Sequence, residues 1–126
     1  MKMMRCLMKR RFVAVVWFLL SCYGLFLRVP SSGVPNVIHL DKMAHFAMFF
    51  GQFYLLGRVF VVNRQSQFFK LWLVALLWAV VSELVQGIFT ARTMDFWDGV
   101  VDMVGATLAV LYLYVRRNYH HDPKDR

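Results

Sequence analysis

Residues Phe68 to Phe89 form one run that is apolar except for Lys70, Ser82, Glu83 and Gln86. At 1.5 Å per residue such a run spans about 33 Å as a helix, enough to cross a hydrocarbon layer of about 30 Å. Glu83 lies deep within it, and an acid at the centre of a membrane helix costs about 2.5–3.5 kcal/mol or more. A chain that keeps a carboxylate there must provide partners for it. The other helices are therefore expected to exist largely to supply them.

Composition agrees with a membrane setting. The chain has 126 residues, 60% of them hydrophobic, and a mean hydropathy of +0.50, which is too apolar for an ordinary soluble domain. The length allows a single domain, residues 1–126. The formal net charge of +8 does not point to nucleic acid, because the basic residues flank apolar runs and build no patch on a polar domain. Cys6 falls in the basic N-terminal stretch and Cys22 inside the first apolar run. Their different depths argue against a disulfide, and no cysteine-based metal spacing exists.

The expected architecture is all-α, an integral membrane bundle of four transmembrane helices at about 12–28, 42–62, 68–89 and 96–115, with a tail over 116–126. The first run follows Lys2, Arg5, Lys9, Arg10 and Arg11. Leu19, Leu20, Ser21 and Cys22 resemble a lipoprotein cleavage box, so a cleaved signal segment is a rival to a first span; the apolar run continues past Cys22, which favours the span. A connector rich in Pro, Ser and Gly leads to the second run, where Asp41 is expected as an N-cap. A short polar loop, Asn63 to Gln67, joins the second and third runs as antiparallel neighbours. Asp95 or Thr93 is the expected cap of the fourth. Trp72, Trp97, Tyr112 and Tyr114 are expected in the interfacial belt. The adjacent His120 and His121 read as solvated tail residues.

Lys and Arg counts give an orientation. With the N-terminus inside, Lys2, Arg5, Lys9, Arg10, Arg11, Arg58, Arg64, Lys70, Arg116, Arg117, Lys124 and Arg126 fall on the inner side, against Arg28, Lys42 and Arg92 on the outer side. That bias places both termini in the cytoplasm and the protein in the plasma membrane as a multi-pass species.

The acids do not follow from orientation, yet they cluster. Asp122 and Asp125 are in the tail; Asp41, Glu83, Asp95, Asp98 and Asp102 all fall toward the outer end. Helical spacing sorts them onto stripes: Asp41, His45, Met48 and Gln52; Ala75, Ala79, Glu83 and Gln86; Asp98, Asp102, Gly105 and Ala109. Each stripe is polar toward the outer end, and two continue into small residues that let membrane helices approach. The expected result is a seam that opens outward into a polar pocket, with His45, Glu83, Gln86, Asp98 and Asp102 in it and Lys42 and Arg92 at its rim. A purely structural latch is the bland alternative.

Asp41, Lys42, His45 and Phe46 at the start of one helix, Ser82, Glu83 and Gln86 at the end of the next, and Arg92 followed by Asp98, Asp102 and Gly105 together resemble the VanZ-like family of small bacterial membrane proteins. The similarity covers about Asp41 to Ala109. The family more often has Asn at the position of Asp102 and a second Gly at that of Ala109. The resemblance implies a bacterial plasma-membrane protein linked to the cell envelope; the family is named for low-level resistance to the glycopeptide teicoplanin. It implies no reaction.

Three functions fit these residues. The pocket could bind or modulate an envelope component, such as a polar lipid head group, a lipid-linked glycan or a partner membrane protein. Lys42 and Arg92 would then meet phosphate or carboxylate, while Glu83, Gln86, Asp98 and Asp102 bond hydroxyls. It could be an enzyme, with His45, Glu83, Asp98 and Asp102 as candidate catalytic groups in acid–base chemistry or as ligands of a divalent cation acting on a lipid-linked phosphate or glycan. The third, a proton or cation path, ranks last because the inner half of every stripe is apolar or small.

Overall fold

In a computed structural model the chain is all-α. The structure describes residues 1–27, 37–60, 64–90 and 95–120. Its helices are α1 (Lys2–Cys22), continued by a π-helical turn (Tyr23–Leu27), α2 (Val37–Val59), α3 (Gln65–Phe89) and α4 (Phe96–His120). The described residues contain no strand.

The helices start earlier or end later than expected. α1 begins at Lys2 because nothing between it and Cys22 breaks a helix, and Lys and Arg are good helix formers. The basic stretch is therefore helical. α2 begins at Val37, so Asp41 lies a turn inside the helix and is not its N-cap; the apolar residues ahead of it simply join the helix. α4 runs through Arg116 and Arg117 to His120, so much of the expected tail is helical. At the start of α3 the Gln67 side chain accepts the Arg64 backbone N–H at 2.9 Å, one half of a capping box.

Cross-helix contacts fix the chain direction. Trp17 lies beside Met48 and Gly51, and Gly24 beside Met48, so α1 and α2 are antiparallel. Lys42 meets Asp98, His45 meets Asp102 and Tyr54 meets Tyr112, so α2 and α4 run parallel. Trp72 meets Thr107 and Phe68 meets Tyr114, so α3 opposes α4. The bundle is thus up-down-up-down with α2 and α4 as its closest pair, α1 laid on α2 and α3 on α4. One end collects the C-terminal ends of α1 and α3 and the N-terminal ends of α2 and α4. Arg58, Arg64, Lys70, Arg116 and Arg117 lie at the other end.

Two devices bring the backbones together. Gly105 of α4 sits against Phe46 of α2 so closely that a Cβ would lie 2.6 Å from the Phe46 carbonyl oxygen. The second device is a planar side chain in a notch. The Trp17 indole occupies the space over Gly51, where a Cβ would fall 2.6 Å from the ring, and its Nε1–H donates to Met48 O at 3.0 Å. The core consists of Phe49, Phe53, Phe68, Leu71, Ala75, Ala79, Ala106, Ala109 and Leu113, with Leu25 at the polar end beside Gln86. The small residues keep the seam narrow, and the phenylalanines fill what is left.

The outside is apolar. On α3, Leu77 and Ile88 are 65% and 68% exposed, and Val74, Val80 and Leu84 are exposed with them. A water-soluble monomer rarely leaves so continuous an apolar surface uncovered. By length and composition α3 and α4 can each cross a membrane, against the four spans expected.

Candidate functional site

The polar end is built from three helices. His45 of α2 and Asp102 of α4 are fully buried, and His45 Nδ1 lies 2.8 Å from Asp102 Oδ1. The other ring nitrogen, Nε2, is 3.9 Å from Asp98 Oδ2. A turn closer to the rim, Lys42 Nζ donates to Asp98 Oδ1 at 2.9 Å and to Asp95 Oδ2 at 3.1 Å. Lys42 spans α2 to the start of α4 and covers the buried pair beneath it.

Glu83 enters from α3. It is buried, its Oε2 accepts the Asp95 backbone N–H at 3.3 Å, and its Oε1 has no hydrogen-bond partner among the described residues. One donor atom each from His45, Glu83 and Asp102 lie within 4.8 Å of one another. The structure therefore brings together four of the expected site residues, His45, Glu83, Asp98 and Asp102, with Lys42 above them.

Gln86 stands apart from this group. It is buried, but its Nε2 donates to the Leu25 carbonyl at 2.7 Å. The last carbonyls of a helix have no intrahelical partner, and Gln86 supplies one for the π-helical end of α1. That bond joins α3 to α1. Arg92 and Thr93 lie outside the described residues. Gln52, on the same stripe as His45, is buried about two turns further in, and its Oε1 has no hydrogen-bond partner among the described residues.

Asp95 caps α4: its Oδ1 accepts the Trp97 backbone N–H at 2.9 Å. That bond, joined by Lys42, holds its carboxyl below the usual carboxylate range. The N-terminal ends of α2 and α4 both face this end of the bundle. Their dipoles favour negative charge at Asp95 and Asp98 there.

Two residues outside the expected set position the site. Trp17 and Gly51 fix α1 on α2 a turn and a half below His45. A glycine and a tryptophan in separate apolar runs look like ordinary membrane composition, so no sequence signal pairs them. Gly105 was visible as part of the α4 stripe, but its backbone partner was not.

A family model described as VanZ/LLP1 matches residues 7–117, from within α1 to near the end of α4. The chain belongs to the VanZ/LLP1 family. The match includes α1, which the quoted motifs left out, so the family unit comprises the whole bundle and not only the three helices that carry the polar residues. No curated protein and no solved structure matches the chain. Family membership and the two apolar helices together point to a membrane protein.

Chemically, the arrangement holds an imidazole oriented by one carboxylate (Asp102), a second carboxylate with one oxygen that makes no hydrogen bond among the described residues (Glu83), and a third paired with an amine (Asp98). Such a set can accept hydrogen bonds from hydroxyls, exchange protons or ligate a cation.

Proposed function

We propose that this VanZ/LLP1 member is a four-span bacterial plasma-membrane protein with both termini in the cytoplasm. We propose further that its polar end binds or modulates a cell-envelope component at the outer leaflet: a polar lipid head group, a lipid-linked glycan or a partner membrane protein. The observation that carries this reading is the buried set His45, Glu83, Asp98 and Asp102 on three helices beneath Lys42. Ionisable groups at membrane depth are costly and belong by default to function.

The topology is supported by the charge distribution. In an up-down-up-down bundle the basic ends of α1, α2, α3 and α4 share one side, as the positive-inside rule requires of a cytoplasmic face. The packing of Trp17 and buried Ser21 against the bundle supports retention of α1 as the first span over its removal as a signal segment. A reporter fused after Arg126 is expected to be active only in its cytoplasmic form, and intact mass is expected to retain residues 1–21. Activity of an exclusively extracytoplasmic reporter refutes the orientation.

Binding is tested by purifying the chain in mild detergent from cells and weighing it with co-extracted lipid by native mass spectrometry. A retained polar lipid is expected, displaced in Glu83→Gln and weakened in Arg92→Lys, where a planar bidentate contact is lost. Unchanged retention in both Lys42→Ala and Arg92→Ala refutes the reading.

The His45–Asp102 pair favours a second reading, a membrane-embedded enzyme. A carboxylate on one ring nitrogen orients an imidazole for general acid–base work at the other. Turnover of a lipid-linked phosphate or glycan by the purified chain, lost in His45→Gln, supports it over binding alone.

A further inference from the structure

We propose that His45, Glu83 and Asp102 form a site for one divalent transition-metal ion. The inference deepens the reading of this constellation as a ligand site and rests on it, yet ion binding alone tests it, with no envelope component present.

Three observations converge. The first is geometry. Each residue comes from a different helix, each is buried, and one donor atom from each lies within 4.8 Å of the others. Donors around a metal at about 2.1 Å stand roughly 3.0–4.2 Å apart, so side-chain adjustments of less than about 1 Å close the shell. The second is the state of Glu83. It is 9% exposed, its Oε1 makes no hydrogen bond among the described residues, and its Oε2 holds only the 3.3 Å bond to Asp95 N–H. A carboxylate oxygen in an apolar layer without a donor is costly; a metal ion supplies the missing contact.

The third is charge. Glu83, Asp98 and Asp102 bring three carboxyl groups together, and the one amine among these described side chains, Lys42, is shared between Asp98 and Asp95. A cation suits a group in which acids outnumber amines.

The donor set selects the ion. One imidazole with two carboxylates suits Mn²⁺ or Zn²⁺ better than Ca²⁺ or Mg²⁺, which prefer all-oxygen shells, and better than Cu(I), which prefers sulfur. The 2.8 Å separation of His45 Nδ1 and Asp102 Oδ1 is close to the spacing of two donors on one ion, which would take the place of the shared proton. Three protein ligands leave coordination positions for water or for an oxygen of a bound molecule, as in metal sites that carry chemistry. Asp98, held by Lys42, lies 3.9 Å from His45 Nε2 and borders the site without belonging to the cluster.

The full chain, purified in detergent and stripped with chelator, is titrated with MnCl2. Free Mn²⁺ is read by EPR and directly bound nitrogen by pulsed EPR. One Mn²⁺ per chain is expected, with the coupling of a single imidazole nitrogen and a rise in the thermal midpoint. Glu83→Gln and Asp102→Asn are each expected to weaken binding at least tenfold, while His120→Ala/His121→Ala leaves it unchanged. Folding of each variant is checked by gel filtration and circular dichroism. Should Glu83→Gln not fold, Glu83→Asp replaces it and is expected to weaken binding while keeping the charge. The inference is overturned by a folded wild type that retains no ion, by binding without a coordinated nitrogen, by binding indifferent to Glu83, or by binding that disappears with the tail histidines. Lipid retained by an ion-free protein would leave the functional reading standing and remove this one.

Discussion

The Gly105 substitution tests the architecture most directly, because its consequence can be worked from distances. A Cβ at this position would lie 2.6 Å from the Phe46 carbonyl oxygen, 3.3 Å from Phe50 N and 3.4 Å from Phe46 C. The obstacle is backbone on both helices, so no rotamer change relieves it. Restoring an ordinary contact near 3.4 Å requires α2 and α4 to part by roughly 0.8 Å along this line. His45 is next to Phe46, and Asp102 is one turn before Gly105, so the same displacement draws the 2.8 Å His45–Asp102 contact toward about 3.6 Å, where a hydrogen bond no longer holds. Overpacking costs about 1–3 kcal/mol, offset by up to about 1 kcal/mol from replacing a helical glycine by alanine. Gly99→Ala is the control. The nearest atom to its Cβ is Glu83 Cγ at 3.9 Å, an ordinary contact, so it should gain the helix propensity without the clash. Thermal unfolding of both variants in one detergent, at one scan rate, is expected to show Gly105→Ala lower by several degrees and Gly99→Ala equal to or above wild type. A Gly105→Ala protein as stable as Gly99→Ala would refute the close approach of α2 and α4 and, with it, the geometry of the site.

Four further outcomes follow from the same structure. Asp102→Ala should destabilise by about 3–5 kcal/mol, because a buried polar partner is left behind, whereas His45→Leu/Asp102→Leu should recover much of the loss; a double-mutant cycle in denaturant reads the difference. Gln86→Leu strands the Leu25 carbonyl and should cost about 1–3 kcal/mol, with faster hydrogen exchange at the C-terminal end of α1 as its local signature. Asp95 carries a folded-state pKa below its unfolded value of about 3.9, so its contribution is fully present above that value and is lost as pH falls through the folded pKa. Asp95→Asn should accordingly show a shallower loss of thermal midpoint than wild type when the pH is lowered below about 4. Gly51→Ala should displace the Trp17 indole and loosen α1 from α2, seen as a shift of tryptophan fluorescence in a variant that keeps only Trp17.

Much of the bundle was legible in the chain because membrane helices are long and their spacing is simple. The stripes on α3 and α4 are the buried faces: Ala75, Ala79, Glu83 and Gln86, and Asp98, Asp102 and Ala109 with Gly105. The α2 stripe was less regular, since Phe49 and Phe53 are buried together with His45 and Gln52 while Met48 is only partly covered. Helix ends were the weakest part. Asp41 looked like a cap because an acid follows a connector rich in Pro, Ser and Gly and precedes an apolar run, but a helix begins as soon as nothing prevents it. The basic stretch at 2–11 looked like a tail for the same reason of polarity, although Lys and Arg favour helix.

By itself, the sequence determined that this chain has one polar end, which residues furnish it, and that they fall on three helical faces, because a period of 3.6 residues leaves little choice once the apolar runs are known. Only the tertiary structure decided how those faces meet. It paired His45 with Asp102 and Lys42 with Asp98 and Asp95. It gave Gln86 the Leu25 carbonyl as a partner, and it left one oxygen of Glu83 without a hydrogen-bond donor among the described residues. The physical reason is that these outcomes depend on interhelical distances of a few ångströms, set by Gly105 against Phe46 and by Trp17 over Gly51, and no periodicity within one helix carries that information.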